Sequence, residues 1–148
     1  MGLFDKIAVG RQASTITLGP AEAFAAIALI AVAADGYLAD AEARALSTTL
    51  GRMHLFRSYS GDVMRSMMDR LLGILQRQGA GPLFDAALKS LPHDLYDTTF
   101  AVVADLVLAD GALSDEEKGL LDDLYHALQL PEALAVKIIE VMLVKNKG

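Results

Sequence analysis

The 148-residue chain contains no cysteine, and this absence removes several classes of function at once. Without cysteine there is no disulfide, no thiolate zinc ligand and no cysteine nucleophile. Positive charge is scarce too, because 13 Lys and Arg stand against 19 Asp and Glu, for a net charge of −6. Nucleic-acid binding needs a basic face, so we expect no nucleic-acid partner.

Long apolar runs are missing as well. The run at 23–34 has 12 residues, which is too short for a helix to span a bilayer. A similar run recurs at 100–111, and Pro20 and Glu22 precede the first one, which is not typical of a signal peptide. We therefore expect a cytoplasmic protein, and the apolar fraction of 53% predicts a folded one.

The chain does contain an internal repeat. Residues 26–46 and 101–121 are identical at nine of 21 aligned positions and share the frame A-D-G-x-L-x-D-x-E. We interpret this as a duplicated helix–loop–helix unit. The frame contains Asp35, Gly36, Leu38, Asp40 and Glu42 in the first copy, and Asp110, Gly111, Leu113, Asp115 and Glu117 in the second.

Helical periodicity and punctuation predict an all-α bundle of about seven helices with two pseudo-symmetric repeats. No segment alternates with a period of two, and Pro, Gly and Ser mark the helix boundaries. The predicted helices are 20–35, 40–53, 62–76, 82–89, 92–110, 114–128 and 131–145. They form one domain, 20–148, after an N-terminal arm, 1–19. Docking on the bundle or contact with a second protomer is the favoured role of the apolar residues of the arm, and contact with a membrane is the alternative: Leu3, Phe4, Ile7 and Val9.

The third helix carries a methionine-rich stripe with helical spacing. A bundle core is the favoured interpretation of this stripe, and an adaptable binding groove is the alternative. The stripe consists of Met64, Met67, Met68, Leu71, Leu72 and Leu75.

One interpretation of the acidic motifs needs no ligand. Gly36 and Gly111 end helices in the left-handed conformation, and Leu38 and Leu113 fill the core from the loop. In the second copy, Ser114 and Glu117 have the spacing of a capping box.

The other interpretation is an ion site. Asp35 and Asp110 end helices, where the dipole disfavours negative charge, so a cation or hydrogen bonds to loop amides should compensate. Ala39 has no capping oxygen, which leaves Glu42 unexplained by a full capping box. The spacing matches the second half of an EF-hand loop, but the first two ligand positions are alanine or leucine. Two half sites sharing one ion would use Asp35, Glu42, Asp110 and Glu117, with Ca²⁺ or Mg²⁺ preferred and Zn²⁺ not excluded.

Asp105 is unusual because it stands within an apolar helix. A buried lone carboxylate is costly, so Asp105 should face solvent, pair with an arginine or join the acidic site. No serine elbow, phosphate-binding loop or dinucleotide fingerprint occurs, and we expect no enzymatic activity.

The two stretches "AADGYLADAE" and "LADGALSDEE" resemble the tellurite resistance protein TerB family, as do the opening "MGLFDKI" and the closing "VMLVKNKG". The resemblance implies a compact helical fold with pseudo-two-fold halves, no enzymatic activity, and a role in tellurite or other chemical stress. It also implies metal binding and membrane-protein partners. Residues carried over are Asp35, Gly36, Glu42, Asp110, Gly111 and Glu117. A protein-interaction module whose acidic motifs are helix caps, with no bound metal, is the alternative.

Overall fold

The computed structural model describes residues 16–33 and 37–148, and these residues form seven α-helices and no strand. The predicted all-α fold is thereby confirmed. The apolar residues of the N-terminal arm (Leu3, Phe4, Ile7 and Val9) and the loop residues Asp35 and Gly36 lie outside the described residues. The helices are α1 (Pro20–Ala33), α2 (Asp40–Gly51), α3 (Gly61–Gln78), α4 (Ala80–Ser90), α5 (Tyr96–Val107), α6 (Asp115–Ala127) and α7 (Glu132–Lys145).

The chain divides into two compact units, Met1–Leu91 and Pro92–Gly148. In the first unit, α1 packs against α2, α3 and α4. Its seven residues from Ala23 to Leu29 are all buried, which fits a helix that is apolar on every side. Phe24 meets Phe56 edge to face at 6.4 Å between ring centroids. Because α1 contacts the other three helices of the unit and most of its side chains are buried, it forms the centre of the core.

The methionine stripe of α3 faces this core, as the favoured interpretation predicted. Met64, Met67 and Met68 are at most 7% exposed. Leu71 and Leu75 are buried with them, whereas Leu72 is partly exposed. Ile74, which the predicted stripe left out, is also buried.

In the second unit, α5 packs against both α6 and α7. The buried residues of α5 include Phe100 and Val103, and Leu121 and Leu124 of α6 are also buried. The buried hydroxyl of Thr99 donates to the carbonyl of Leu95, 2.6 Å away, so its polar atom is satisfied inside the core.

Several helix boundaries differ from the prediction. The fifth helix ends at Val107 and not at Asp110, because residues 108–110 form a turn in which Gly111 donates to the carbonyl of Leu108. A 3₁₀ turn, His93–Leu95, occupies its predicted start. The fourth helix begins at Ala80 and not at Pro82. Within the break at 79–82 only Gly79 has a positive φ, and Pro82 fits the first helical turn.

No helix among the described residues combines the length and apolar character needed to cross a membrane.

Candidate functional site

The second acidic loop is held by its own backbone. After α5 ends, Gly111 adopts a φ of +79°, a conformation that glycine reaches without steric cost. The Oδ1 atom of Asp110 accepts a hydrogen bond from the amide of Ala112 at 3.1 Å. We expected either a cation or a hydrogen bond to a loop amide to compensate the negative charge of Asp110 at the helix end. The structure contains the hydrogen bond to a loop amide.

Ser114 and Glu117 form the predicted capping box at the start of α6. The hydroxyl of Ser114 accepts from the amide of Glu117 at 3.2 Å, and Glu117 Oε1 accepts from the amide of Ser114 at 2.9 Å. Two backbone donors that the helix leaves unpaired are thereby satisfied.

The first copy of the motif contains half of this arrangement. Glu42 Oε1 accepts from the amide of Ala39 at 3.2 Å, at the start of α2. Ala39 has no side-chain oxygen to return the bond, yet its backbone is extended as at Ser114. Glu42 thus has a local partner that the sequence argument missed, although a glutamate three residues after a helix cap was available as the signal.

A third glutamate makes the same contact outside the acidic motif. Glu22 Oε1 accepts from the amide of Gly19 at 2.9 Å at the start of α1. Its other oxygen pairs with Arg70 at 2.7 Å, and Arg70 also donates to the carbonyl of Thr17. Because Glu22, Glu42 and Glu117 share one role at three helix starts, that role does not depend on the repeated motif.

The predicted metal ligands do not form a cluster within the described residues. No group of three or more His, Asp or Glu side chains is placed there to hold an ion. Glu42 belongs to the first unit, Asp110 and Glu117 belong to the second, and Asp35 lies outside the described residues.

Asp105 has a basic partner, but it is a lysine and not an arginine. Its Oδ1 atom lies 3.1 Å from Lys145 Nζ and 2.9 Å from Asn146 Nδ2, both at the end of α7. The same end of α7 meets the acidic loop, because a Cβ added at Gly111 would lie 2.9 Å from the carbonyl oxygen of Asn146. This contact between the loop and the C-terminus joins residues far apart in sequence, so no local pattern predicts it.

The loop leucines line surface depressions and are partly buried. Leu113 borders a cavity of about 160 Å³ with Tyr125, Glu132 and Ala135. Partial burial of the ring, followed by the negative charges of Glu132 and Asp122, raises the pKa of Tyr125 from its ordinary 10.0. This phenol therefore stays protonated at neutral pH and offers no base to the cavity.

Leu38 borders a larger open groove between α2 and α3, with a volume of about 540 Å³. Its apolar lining comes from Leu38, Ala43, Met64, Met68 and Leu72. The charged side chains along it are the exposed Arg44, Arg65 and Asp69. The other residues of the lining are the uncharged polar residues Ser47, Thr48, Tyr59 and Ser60 and the glycines Gly51 and Gly61.

Comparison of the chain with models of known protein families, with curated proteins and with solved structures finds no match. The resemblance to the TerB family therefore stays a prediction that depends on the duplicated acidic motif and the terminal segments.

Proposed function

We propose that the protein is a non-enzymatic helical module that binds a segment of a partner protein in the groove between α2 and α3. The observation that carries this proposal is the groove itself, an open apolar channel of about 540 Å³ with charged side chains along it. Both α2 and α3 pack against α1, and an open groove between two neighbouring helices is a common receptor for an amphipathic segment.

The lining of the groove suits an adaptable contact. Met64 and Met68 border the groove while only 6% and 7% exposed, so a partner would contact just the edges of these flexible, polarisable side chains. Leu38 and Leu72 are partly exposed and would gain burial when a partner covers them. The methionine stripe thus serves the core with one part of its surface and the groove with another.

Charge indicates which partners fit. Among the described residues of the lining, two arginines and one aspartate give a local charge of +1, on a chain whose net charge is −6. Arginine recognises carboxylates with two parallel hydrogen bonds. We therefore expect the partner segment to combine apolar anchors with at least one acidic residue that reaches Arg44 or Arg65.

The acidic motifs support a scaffolding role in this proposal. Glu42 and Glu117 each satisfy a helix-start amide, and Asp110 satisfies a loop amide. Among the described residues that line the groove, Asp69 is the single carboxylate and none is a histidine. This lining offers no carboxylate pair for acid–base catalysis, which favours binding over chemistry.

Selection of peptides from a random displayed library tests the proposal. Peptides enriched on the wild-type protein should share apolar anchors and acidic residues. The Arg44→Glu/Arg65→Glu variant should bind them about tenfold more weakly or worse, which corresponds to the loss of about 1.4 kcal/mol. The matched control is Arg52→Glu/Arg77→Glu, an equal charge change at exposed arginines outside the groove. Failure to enrich any peptide, or equal weakening in both variants, would contradict the proposal.

A divalent cation at the acidic loops is the second candidate, and the exposed Asp110 favours it. This carboxylate stands at a helix end that disfavours negative charge, and its hydrogen bond to Ala112 uses one of its two oxygens. Oxygen ligands suit Ca²⁺ or Mg²⁺. Glu117 would have to leave the amide of Ser114 to join such a site, which would cost the cap.

Calorimetric titration of chelator-treated protein with Ca²⁺, Mg²⁺ and Zn²⁺ tests this candidate. A shared site predicts saturation near one ion per chain and loss of binding in Asp35→Asn/Asp110→Asn. No saturable heat from any of the three metals would remove the candidate. By the resemblance to the TerB family, either function would belong in the cytoplasm, in a bacterial response to tellurite or related stress, with membrane-associated proteins among the partners to examine.

A further inference from the structure

The last helix, α7, is largely apolar but only slightly buried. A helix of this composition is expected in the interior of a protein. Within α7, all of which the structure describes, Ala135 alone is buried. The apolar residues of the helix are Ala133, Leu134, Ala135, Val136, Ile138, Ile139, Val141, Met142, Leu143 and Val144.

The two faces of α7 differ in their surroundings. Ala135 and the partly buried Ile138 and Met142 recur at helical spacing on one side, and α7 packs against α5. The opposite side carries valines that are 46%, 60% and 70% exposed, at positions 136, 141 and 144. Its remaining members are the exposed residues Ala133, Lys137 and Glu140. We call these six residues the outer face of α7.

The outer face is complementary to a second copy of itself. Consider two α7 helices that run antiparallel around a two-fold axis between Ile138 and Ile139. Because residues equally far from the axis then lie at the same level, Lys137 of one copy lies level with Glu140 of the other, and Glu140 with Lys137. Val136 in the same way lies level with Val141. The interface therefore contains two Lys137–Glu140 pairs with apolar residues on either side. This arrangement is self-complementary, as in other two-fold symmetric interfaces.

We propose that the protein forms a homodimer through the antiparallel outer faces of α7. The outer face supplies the apolar contact, and the Lys137–Glu140 pairs fix the antiparallel register. A 14-residue helix is about 21 Å long, so the face alone covers less than a standard interface of about 800 Å² per partner. The dimer is accordingly weak and depends on protein concentration.

Sedimentation velocity of the full chain over a wide concentration range is the first test. The wild-type protein should shift from monomer to dimer as concentration rises. Lys137→Glu and Glu140→Lys should each stay monomeric, because each places like charges at the same level in the two copies. The control is Lys89→Glu, which makes the same charge change on the exposed surface of α4 and should dimerise like the wild type.

The double variant Lys137→Glu/Glu140→Lys restores both charge pairs and should restore the dimer. Mixing the two single variants is the sharper test. At positions 137 and 140, the Lys137→Glu chain carries two acidic side chains and the Glu140→Lys chain carries two basic ones, so every pair across the interface is attractive. A heterodimer should form from two monomeric proteins, detectable by native mass spectrometry with one variant grown on heavy nitrogen. Mixing leaves the charges within each helix unchanged, so recovery cannot come from helix stability.

Three outcomes would overturn the proposal. The first is a wild-type protein that stays monomeric at every concentration, as would happen if part of the same chain covered the outer face. The second is a dimer that survives in both single variants, which would place the contact on another surface. The third is a pair of monomeric single variants that form no heterodimer when mixed.

Discussion

Among the described glycines, Gly111 is the one that combines a positive φ with a backbone atom within 3 Å of an added Cβ. Its φ of +79° strains any residue that carries a Cβ, and the carbonyl oxygen of Asn146 occupies the space at 2.9 Å. The neighbouring atom belongs to the backbone at the end of α7, so it cannot turn aside as a flexible side chain would. Gly111 therefore sets how closely the acidic loop and the C-terminal end of α7 approach.

Gly111→Ala should lower the free energy of unfolding by about 2 kcal/mol or more, from left-handed strain and displacement of the Asn146 carbonyl. Gly119→Ala is the matched control, since Gly119 lies within α6 with nothing within 4 Å of an added Cβ. That change should stabilise the protein by about 0.5–1 kcal/mol. Urea unfolding of both variants beside the wild type measures the difference, and equal effects would contradict this role for Gly111.

At the same scale, the sequence predicted some hydrogen-bond partners of individual residues and did not predict others. Ser114 and Glu117 were predicted as a pair because a capping box has a fixed local spacing. Lys145 and Asn146 were not predicted as partners of Asp105, because 40 and 41 residues separate them along the chain. Local hydrogen bonds follow from spacing, whereas contacts between distant segments depend on the packing of whole helices.

At the scale of the helices, α2 and α6 begin at aligned positions with unequal caps. Ala39 and Ser114 both have extended backbones, with φ and ψ of −68° and 152° at Ala39 and −76° and 165° at Ser114. A serine at position 39 would meet the same geometry and could accept a hydrogen bond from the amide of Glu42. The first copy of the motif therefore lacks a cap that its backbone already permits.

Ala39→Ser should stabilise the protein by about 1 kcal/mol, and Ser114→Ala should destabilise it by a similar amount. Ala45→Ser in the exposed middle of α2 serves as the control and should be slightly destabilising, by about 0.5 kcal/mol, because serine is a poorer helix former than alanine. Thermal and urea unfolding of the three variants checks the signs. If Ala39→Ser and Ala45→Ser shift stability in the same direction, position 39 is not a helix cap.

Helix type was more predictable than helix ends. The stripe on α3 identified the buried face correctly, since a period of 3.6 residues depends on one helix alone. The predicted end of α5, Asp110, was wrong. The apolar sequence continues to Leu108, but the helix ends at Val107 and the backbone then forms a turn. The 3₁₀ turn His54–Phe56 was missed, although Phe56 is 1% exposed and packs against Phe24.

At the scale of the whole molecule, the two copies of the acidic motif lie in different compact units. The sequence predicted the all-helical fold because pattern and punctuation agree along most of the chain. It did not predict the groove, because residues from two helices form that lining together. Nor did it predict the exposure of α7, whose composition by itself favours burial.

At this scale we propose that Glu42, Asp110 and Glu117 stabilise the fold of an interaction module through their hydrogen bonds to backbone amides, in preference to holding an ion. The most direct measurement is the free energy of unfolding of Glu117→Ala, in chelator and in excess Ca²⁺, beside Glu116→Ala. Glu116 lies in the same helical turn, so its variant removes an equal charge from the helix start. Loss of the Glu117 bond to the Ser114 amide should cost about 1 kcal/mol more than the control, equally in both conditions. A cost that appears only when Ca²⁺ is present would contradict the claim and assign Glu117 to an ion site.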